Sequence, residues 1–255
     1  MEALSPDIVI GMKYLYSNMP YSDVGNYTFD TYLDYVQQGI YLWENSPYVK
    51  NYPELYFLNY VLFHRTNDEE IKPCRTYFWE KIKDKVQGKT MVEAALEINH
   101  WCAGEVMYQG TDMRTGSALE IYRSGVGRCG EEAVFVVNVM RSAGIPARPV
   151  YVPRWSHCDD NHAWVEVWCD GDWHYLGACE PEAVLDKSWF TNAASRAMMI
   201  GSRWYDRAMP DEKVIGKDGM NRIINLLGKY AKTRWITITV EDLDGTPAAG
   251  AKCTG

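Results

Sequence analysis

A cysteine placed where a helix begins constrains this chain more than any other feature. In Gly127-Arg128-Cys129-Gly130-Glu131-Glu132-Ala133 the cysteine leads into the apolar run Ala133-Val134-Phe135-Val136-Val137-Asn138-Val139-Met140. A run that is apolar on nearly every face predicts a helix buried centrally rather than laid on a surface. Gly144 and the following Ile145-Pro146 end it, since glycine accepts the left-handed cap and proline cannot extend the helical ladder. Backbone N–H groups at a helix start point outward with partial positive charge, so Cys129 is expected to have a lowered pKa and to act as a nucleophile.

The segment after this helix reads as sheet. Ala147-Arg148-Pro149-Val150-Tyr151-Val152 predicts a strand with proline near its start, and a polar turn from Ser156 to Asn161 leads into His162-Ala163-Trp164-Val165-Glu166-Val167-Trp168. Alternation puts His162, Trp164, Glu166 and Trp168 on one face and Ala163, Val165 and Val167 on the other. Asp170-Gly171 is a hairpin signal, and Trp173-His174-Tyr175-Leu176 returns as the partner strand. A thiol on a helix tip and an imidazole on a strand edge are the two parts that cysteine acyl transfer requires.

Three ordered elements carry a resemblance: Gly-x-Cys opening a buried helix, Gly-Ile-Pro-Ala-Arg from Gly144 to Arg148, and His-Ala-Trp-Val-Glu-Val from His162. In order and spacing they make Val92 to Phe190 resemble the core of the transglutaminase-like superfamily. The resemblance implies an α+β fold with a papain-like core, a buried cysteine helix packed on an antiparallel sheet. It also implies a Cys-His-Asp triad that forms a thioester from an amide, with Cys129 as nucleophile and His162 as general base and then general acid. In the superfamily the aspartate lies four residues after the tryptophan of the return strand, and from Trp173 that position is Gly177. Glu180 has the longer arm and is the preferred substitute for orienting the imidazole, with Asp170, Asp172, Glu182 or an amide orienter as alternatives.

A tetrahedral intermediate needs donors for its oxyanion. The Cys129 N–H is the default, and a side chain upstream would supply a second: Asn99, Trp101, Tyr108 or Gln109, with Tyr108 and Gln109 favoured and Trp101 more at home in the core. Trp164 and Trp168 read as wall or core, His157 as a contact for substrate from the turn, and His174 as a solvated competitor. Arg128 would set positive charge beside a thiolate or simply face solvent.

Composition narrows the partners. A net charge of −8 with no long basic run argues against nucleic acid or an anionic membrane. The 18 tyrosines and 10 tryptophans suit a cleft for peptide or carbohydrate as well as they suit an aromatic core. No stretch approaches a membrane span. Seven cysteines, Cys74, Cys102, Cys129, Cys158, Cys169, Cys179 and Cys253, lack the paired spacing of a zinc site, and Cys158 with His162 offers only two ligands. No cofactor or metal is called for.

Residues 1–88 read as a helical region: an amphipathic helix with Phe29, Tyr32, Leu33, Val36, Ile40 and Trp43 on one face, a second over Leu55–Phe63, and a third from Pro73 to Val86. Residues 89–234 hold the core and an extension with a helix expected over Met220–Tyr230. The sharply alternating Trp235-Ile236-Thr237-Ile238-Thr239-Val240 then resembles the first strand of a β-sandwich module that 235–255 is too short to complete. The chain is therefore expected to belong to a multidomain protein in the periplasm or at the cell surface, although the first twenty residues lack the order of a signal peptide and a cytoplasmic location stays open. The leading function is a peptidase or amidase acting on a peptide, protein or glycopeptide amide, with transfer to an amine as a variant. A catalytically weak peptide- or glycan-binding module and an inert spacer are the other two readings.

Overall fold

The computed structural model describes residues 4–250 apart from 111, 113, 220, 235, 237 and 249. It opens with α1 (Pro6–Asn18), where Ser5 caps the first turn, followed by α2 (Tyr21–Asn26) and α3 (Phe29–Asn45). The expected stripe of α3 buries Tyr32 and Val36, while Phe29 and Trp43 at its margins remain exposed. The second expected helix divides into α4 (Glu54–Phe57) and a π-helical turn, Leu58–Leu62. Irregular backbone buried at such a place needs other partners for its carbonyls. Two buried arginines supply them: Arg75 donates to the Val61 and Phe63 oxygens at 3.0 and 3.1 Å, and Arg141 to the Phe63 and Arg65 oxygens at 3.0 Å each. The third helix, α5 (Arg75–Val86), starts two residues after Pro73, because the Asp34 carboxylate accepts from the Cys74 and Arg75 N–H groups and caps it there.

A Thr90–Glu93 capping box opens α6 (Met91–Glu105). The two-residue strands β1 (Met107–Tyr108) and β2 (Val126–Gly127) pair in parallel around α7 (Ala118–Ser124). Then comes α8 (Cys129–Ser142), buried continuously from Glu131 to Ser142. Gly144 ends it in the left-handed region at φ 81°, as the Gly-Ile-Pro signal requires.

The sheet is built from β3 (Ala147–Val152), β4 (His162–Cys169), β5 (Asp172–Leu176), β6 (Gly201–Trp204), β7 (Val214–Asp218) and β8 (Asn221–Asn225), in the order β5-β4-β3-β6-β8-β7 with every pair antiparallel. Short helices α9 (Thr191–Ala194) and α10 (Leu227–Tyr230) flank its second half. Its two faces bury different cores. Ala147, Val165, Val167 and Leu176 pack with α8, whereas Val150, Val152, Trp164, Trp173, Phe190 and Trp204 form a separate aromatic core. The fold is α+β, a cysteine helix on an antiparallel sheet behind a helical front.

The helix expected over Met220–Tyr230 is corrected. Met220 lies outside the described residues; of the others only Leu227–Tyr230 is helical, and Asn221–Asn225 is a strand between β6 and β7, because Ile224 joins the second core from the sheet. Short apolar runs do not reveal their period locally. In the final segment Trp235 and Thr237 lie outside the described residues. Ile236 and Ile238 are exposed, and Val240–Ala248 folds back on itself through one bridge, Glu241 with Pro247.

One buried ion pair locks β3 to β4. Arg148, wholly buried, donates through Nε to Glu166 at 2.7 Å and through Nη1 to Glu212 at 2.6 Å, and its guanidinium stacks 4.0 Å from the Trp173 ring. Removing one member strands the other's charge in the core. Arg148→Met should therefore cost about 3–5 kcal/mol in urea unfolding at neutral pH, and adding Glu166→Gln should recover part of the loss. A cost below about 1 kcal/mol would show that the carboxylates are solvated.

Candidate active site

Cys129 takes the first helical position of α8. Glu131 fixes the approach, one oxygen accepting from the Arg128 N–H at 3.1 Å and the other from the Gly116 N–H at 3.2 Å. The Arg128 guanidinium turns to the Arg114 carbonyl at 2.9 Å and the Thr115 hydroxyl at 3.2 Å, so its charge acts on the sulfur only as a lesser influence. The sulfur is half-buried, with the backbone N–H groups of Ala163 and Gly130 directed at it. Ala163 follows His162 at the start of β4. Helix tip and strand edge thus bring the thiol and the imidazole-bearing residue together, although no hydrogen bond joins the two side chains in this state.

His162 is 9% exposed and ringed by aromatics: Trp189 at 4.8 Å between centroids, Phe190 at 5.1 Å, Trp164 at 6.0 Å and Trp155 at 6.2 Å. Its Nε2 is buried without a hydrogen-bond partner. Burial pushes the imidazole down to about 4, with Asp160 pulling weakly the other way. Burial also pushes the Cys129 thiol up, against the pull of the Ala163 and Gly130 amides. The lowered thiol pKa expected from the helix start is therefore corrected: desolvation outweighs the amide dipoles, and at neutral pH both groups are uncharged.

Residues 80–178 match the family model of the transglutaminase-like superfamily. This stretch is similar to a transglutaminase-like core. No curated protein matches the chain. Similar solved structures include a candidate cysteine protease from Cytophaga hutchinsonii, with 16% identity, TM-score 0.35, 59% of this chain and 57% of that one covered. LapG of Legionella pneumophila has 17% identity and TM-score 0.36 over 44% of this chain and 66% of LapG. A candidate protease from Parabacteroides distasonis has 14% identity and TM-score 0.38 over 68% of this chain and 29% of that one.

In this core the third position is rebuilt. Asn99 pins the turn after β5, donating to the Gly177 carbonyl at 2.9 Å and accepting from the Cys179 N–H at 3.1 Å, so it braces the backbone instead of serving an oxyanion. Glu180 folds back over Gly177. A Cβ added at Gly177 would collide with Glu180 Oε2 and lie 2.7 Å from Glu180 Cβ, so the carboxylate already fills the room an aspartate there would need. The expected bond from Glu180 to His162 is not formed. Both Glu180 oxygens accept from Trp189 Nε1 at 2.9 Å, and the indole stands between the carboxylate and the imidazole. Asp170 occupies the hairpin turn at φ 52°, Asp172 accepts from the Trp173 N–H at 2.7 Å, and Glu182 pairs with Lys187 at 2.9 Å. None of the three bonds His162.

The remaining candidates separate cleanly. Tyr108 is exposed and paired with Gly127, and the Gln109 N–H donates to the Gly127 carbonyl at 2.8 Å, so both border the approach to Cys129. Trp101 stacks on Tyr122 at 5.9 Å and belongs to the core. Trp164 is fully buried and donates to the Tyr230 hydroxyl at 2.9 Å, which in turn donates to Glu166 at 2.6 Å, so it backs the imidazole from within. His157 is exposed, 6.0 Å from Trp155 at the outer end of the stack, and His174 bonds Asp186 at 2.5 Å on the surface. A cleft of about 1260 Å³ lies beside the helix start, lined by Glu131, Gly116, Arg65 and Asp23, but neither Cys129 nor His162 is in its wall.

Glu132 escaped the sequence reading. It is 4% exposed, and burial together with the neighbouring Glu180 carboxylate pushes it up to about 8. The available signal was its spacing: three residues after Cys129 on a helix puts the two on one face.

Two outcomes follow from this electrostatic state. The alkylation rate of Cys129 with iodoacetamide should climb with thiol ionisation above pH ~8.5, whereas a plateau in mild acid would reveal a thiolate–imidazolium pair. Folding raises the Glu132 pKa from 4.5 to about 8, so the native state loses stability as pH rises across that window and is unpenalised below it. Glu132→Gln should accordingly match the parent in thermal unfolding near pH 4.5 and exceed it near pH 8, by an amount on the order of a few kcal/mol. An offset independent of pH would show that Glu132 does not titrate there.

Proposed function

We propose that the chain is a cysteine-dependent amide-bond enzyme, a transglutaminase-like peptidase or amidase acting through a thioester. The observation that carries this reading is the Cys129 sulfur at the start of α8, facing the amide of Ala163 immediately after His162. Since thiol and imidazole rest uncharged, His162 removes the sulfur's proton as it attacks the amide carbon. The developing oxyanion faces the outward N–H groups of the helix start. Collapse of the tetrahedral intermediate expels the amine, which takes the proton from His162 and leaves a thioester on Cys129. Water, deprotonated by His162, then releases the acid, and an amine in its place gives transamidation. A peptide amide suits the acidic, aromatic-rich chain better than a polyanion does.

One observation favours a second reading, a weakly catalytic binding module: the imidazole lacks an acid partner, with Gly177 at the usual position and Nε2 unpaired. Activity distinguishes the two. On a panel of glutamine-containing and anilide peptides, amine release should be lost by on the order of 10⁴-fold or more in both Cys129→Ser and His162→Gln. Hydroxylamine should divert part of the product to the hydroxamate. Binding of the same peptides with no release by the unaltered chain would establish the module instead.

A further inference from the structure

The imidazole, the indole and the carboxylate form a connected set whose end members share no hydrogen bond. Continuing the ladder from the Val165–Leu176 pair puts residue 177 opposite Trp164 and diagonal to His162 on the same face. The Glu180 carboxylate lies over that position. It is thus aimed from the place where an acid would serve His162, and the His162 Nε2 it would serve is buried and unpaired. Between them Trp189 spends its single donor on both Glu180 oxygens and lays its ring against the imidazole. Trp189 is 63% exposed, so little besides this bond and its edge contact with Phe190 keeps it in place.

We propose that Trp189 is a positioning residue that holds the Glu180 carboxylate off His162 in the resting protein and yields it to Nε2 when the indole swings aside. The exchange trades an indole N–H donor for an imidazole one, so the carboxylate keeps a partner and the buried Nε2 gains one. With Glu180 engaged, the imidazolium that forms on deprotonating Cys129 is stabilised and its orientation fixed. The catalytic part rests on the cysteine–histidine reading above, whereas the exchange itself does not. The ionisable group that acts on the imidazole from its surroundings is Asp160 in the preceding turn; Glu132 acts on Cys129 and is itself raised by Glu180.

The test is a titration of the His162 ring by NMR in the full chain, with the iodoacetamide rate at Cys129 measured at one mildly acidic pH. Trp189→Phe keeps an aromatic cover over the imidazole but frees Glu180, and it should raise the His162 pKa by about one unit or more and speed alkylation several-fold. Glu180→Gln alone should give no rise, and Glu180→Gln combined with Trp189→Phe should cancel the rise. An unchanged or lowered His162 pKa in Trp189→Phe overturns the proposal. So does a rise that persists in the double variant, because it would come from water reaching the ring. Should His162 respond as expected while Cys129 alkylates at one rate throughout, the exchange stands and the nucleophile assignment falls.

Discussion

Burial of α8 on all sides is the constraint from which the site follows. From Glu131 to Ser142 the helix is shielded by the sheet on one flank and by α5, α6 and α7 on the other, so it cannot slide or rotate without opening the core. Its N-terminus emerges where β4 begins, and the Glu131 bonds to the Arg128 and Gly116 amides set the last turn of chain before it. A nucleophile on a rigid element is placed more finely than one on a loop. The same packing fixes Ala163 against the sulfur, because Val165 and Val167 farther along β4 are locked into the α8 face.

That rigidity has an electrostatic consequence. Half-burying a thiol and nearly burying an imidazole disfavours both charges, and the few amides aimed at the sulfur do not offset it. The resting site is therefore quiet, with a neutral thiol, a neutral imidazole and, near the thiol, the Glu132 carboxyl held up to about 8. In the reaction proposed above, charge develops only as the step proceeds and would be met by groups already in place, a demand that falls on the helix-start amides and on whatever carboxylate reaches the imidazole.

The carboxylate question turns on space. Gly177 leaves a gap on the face shared with His162, and Glu180 returns through a turn braced by Asn99 to fill it. Around it the core on the sheet's second face mixes aromatic and aliphatic side chains, and Trp155, Trp164, Phe190 and Trp189 enclose the imidazole. Behind them Trp164, Tyr230, Glu166 and Arg148 form a buried hydrogen-bonded chain that ties α10 to β4 and β3. The N-terminal helical front, 1–88 as read from sequence, contributes Tyr60 to this second core and Arg75 to the packing under α8.

Much of this was legible along the chain because the signals are local. The apolar run after Cys129, its Gly-Ile-Pro stop, the alternation from His162 and the Asp170-Gly171 turn each depend on near neighbours, and the helix and hairpin they predict are present. So was the conflict at Gly177. Tertiary structure decided the rest. Whether Asn221–Asn225 is strand or helix depended on an open place between β6 and β7, which no window of eleven residues contains. The direction of the Cys129 pKa depended on how much water the assembled walls exclude, and sequence spacing shows the helix dipole but not the desolvation that opposes it. The partner of Glu180 likewise depended on where a turn and a remote tryptophan come to rest, since side chains nine residues apart meet only once the backbone between them has folded.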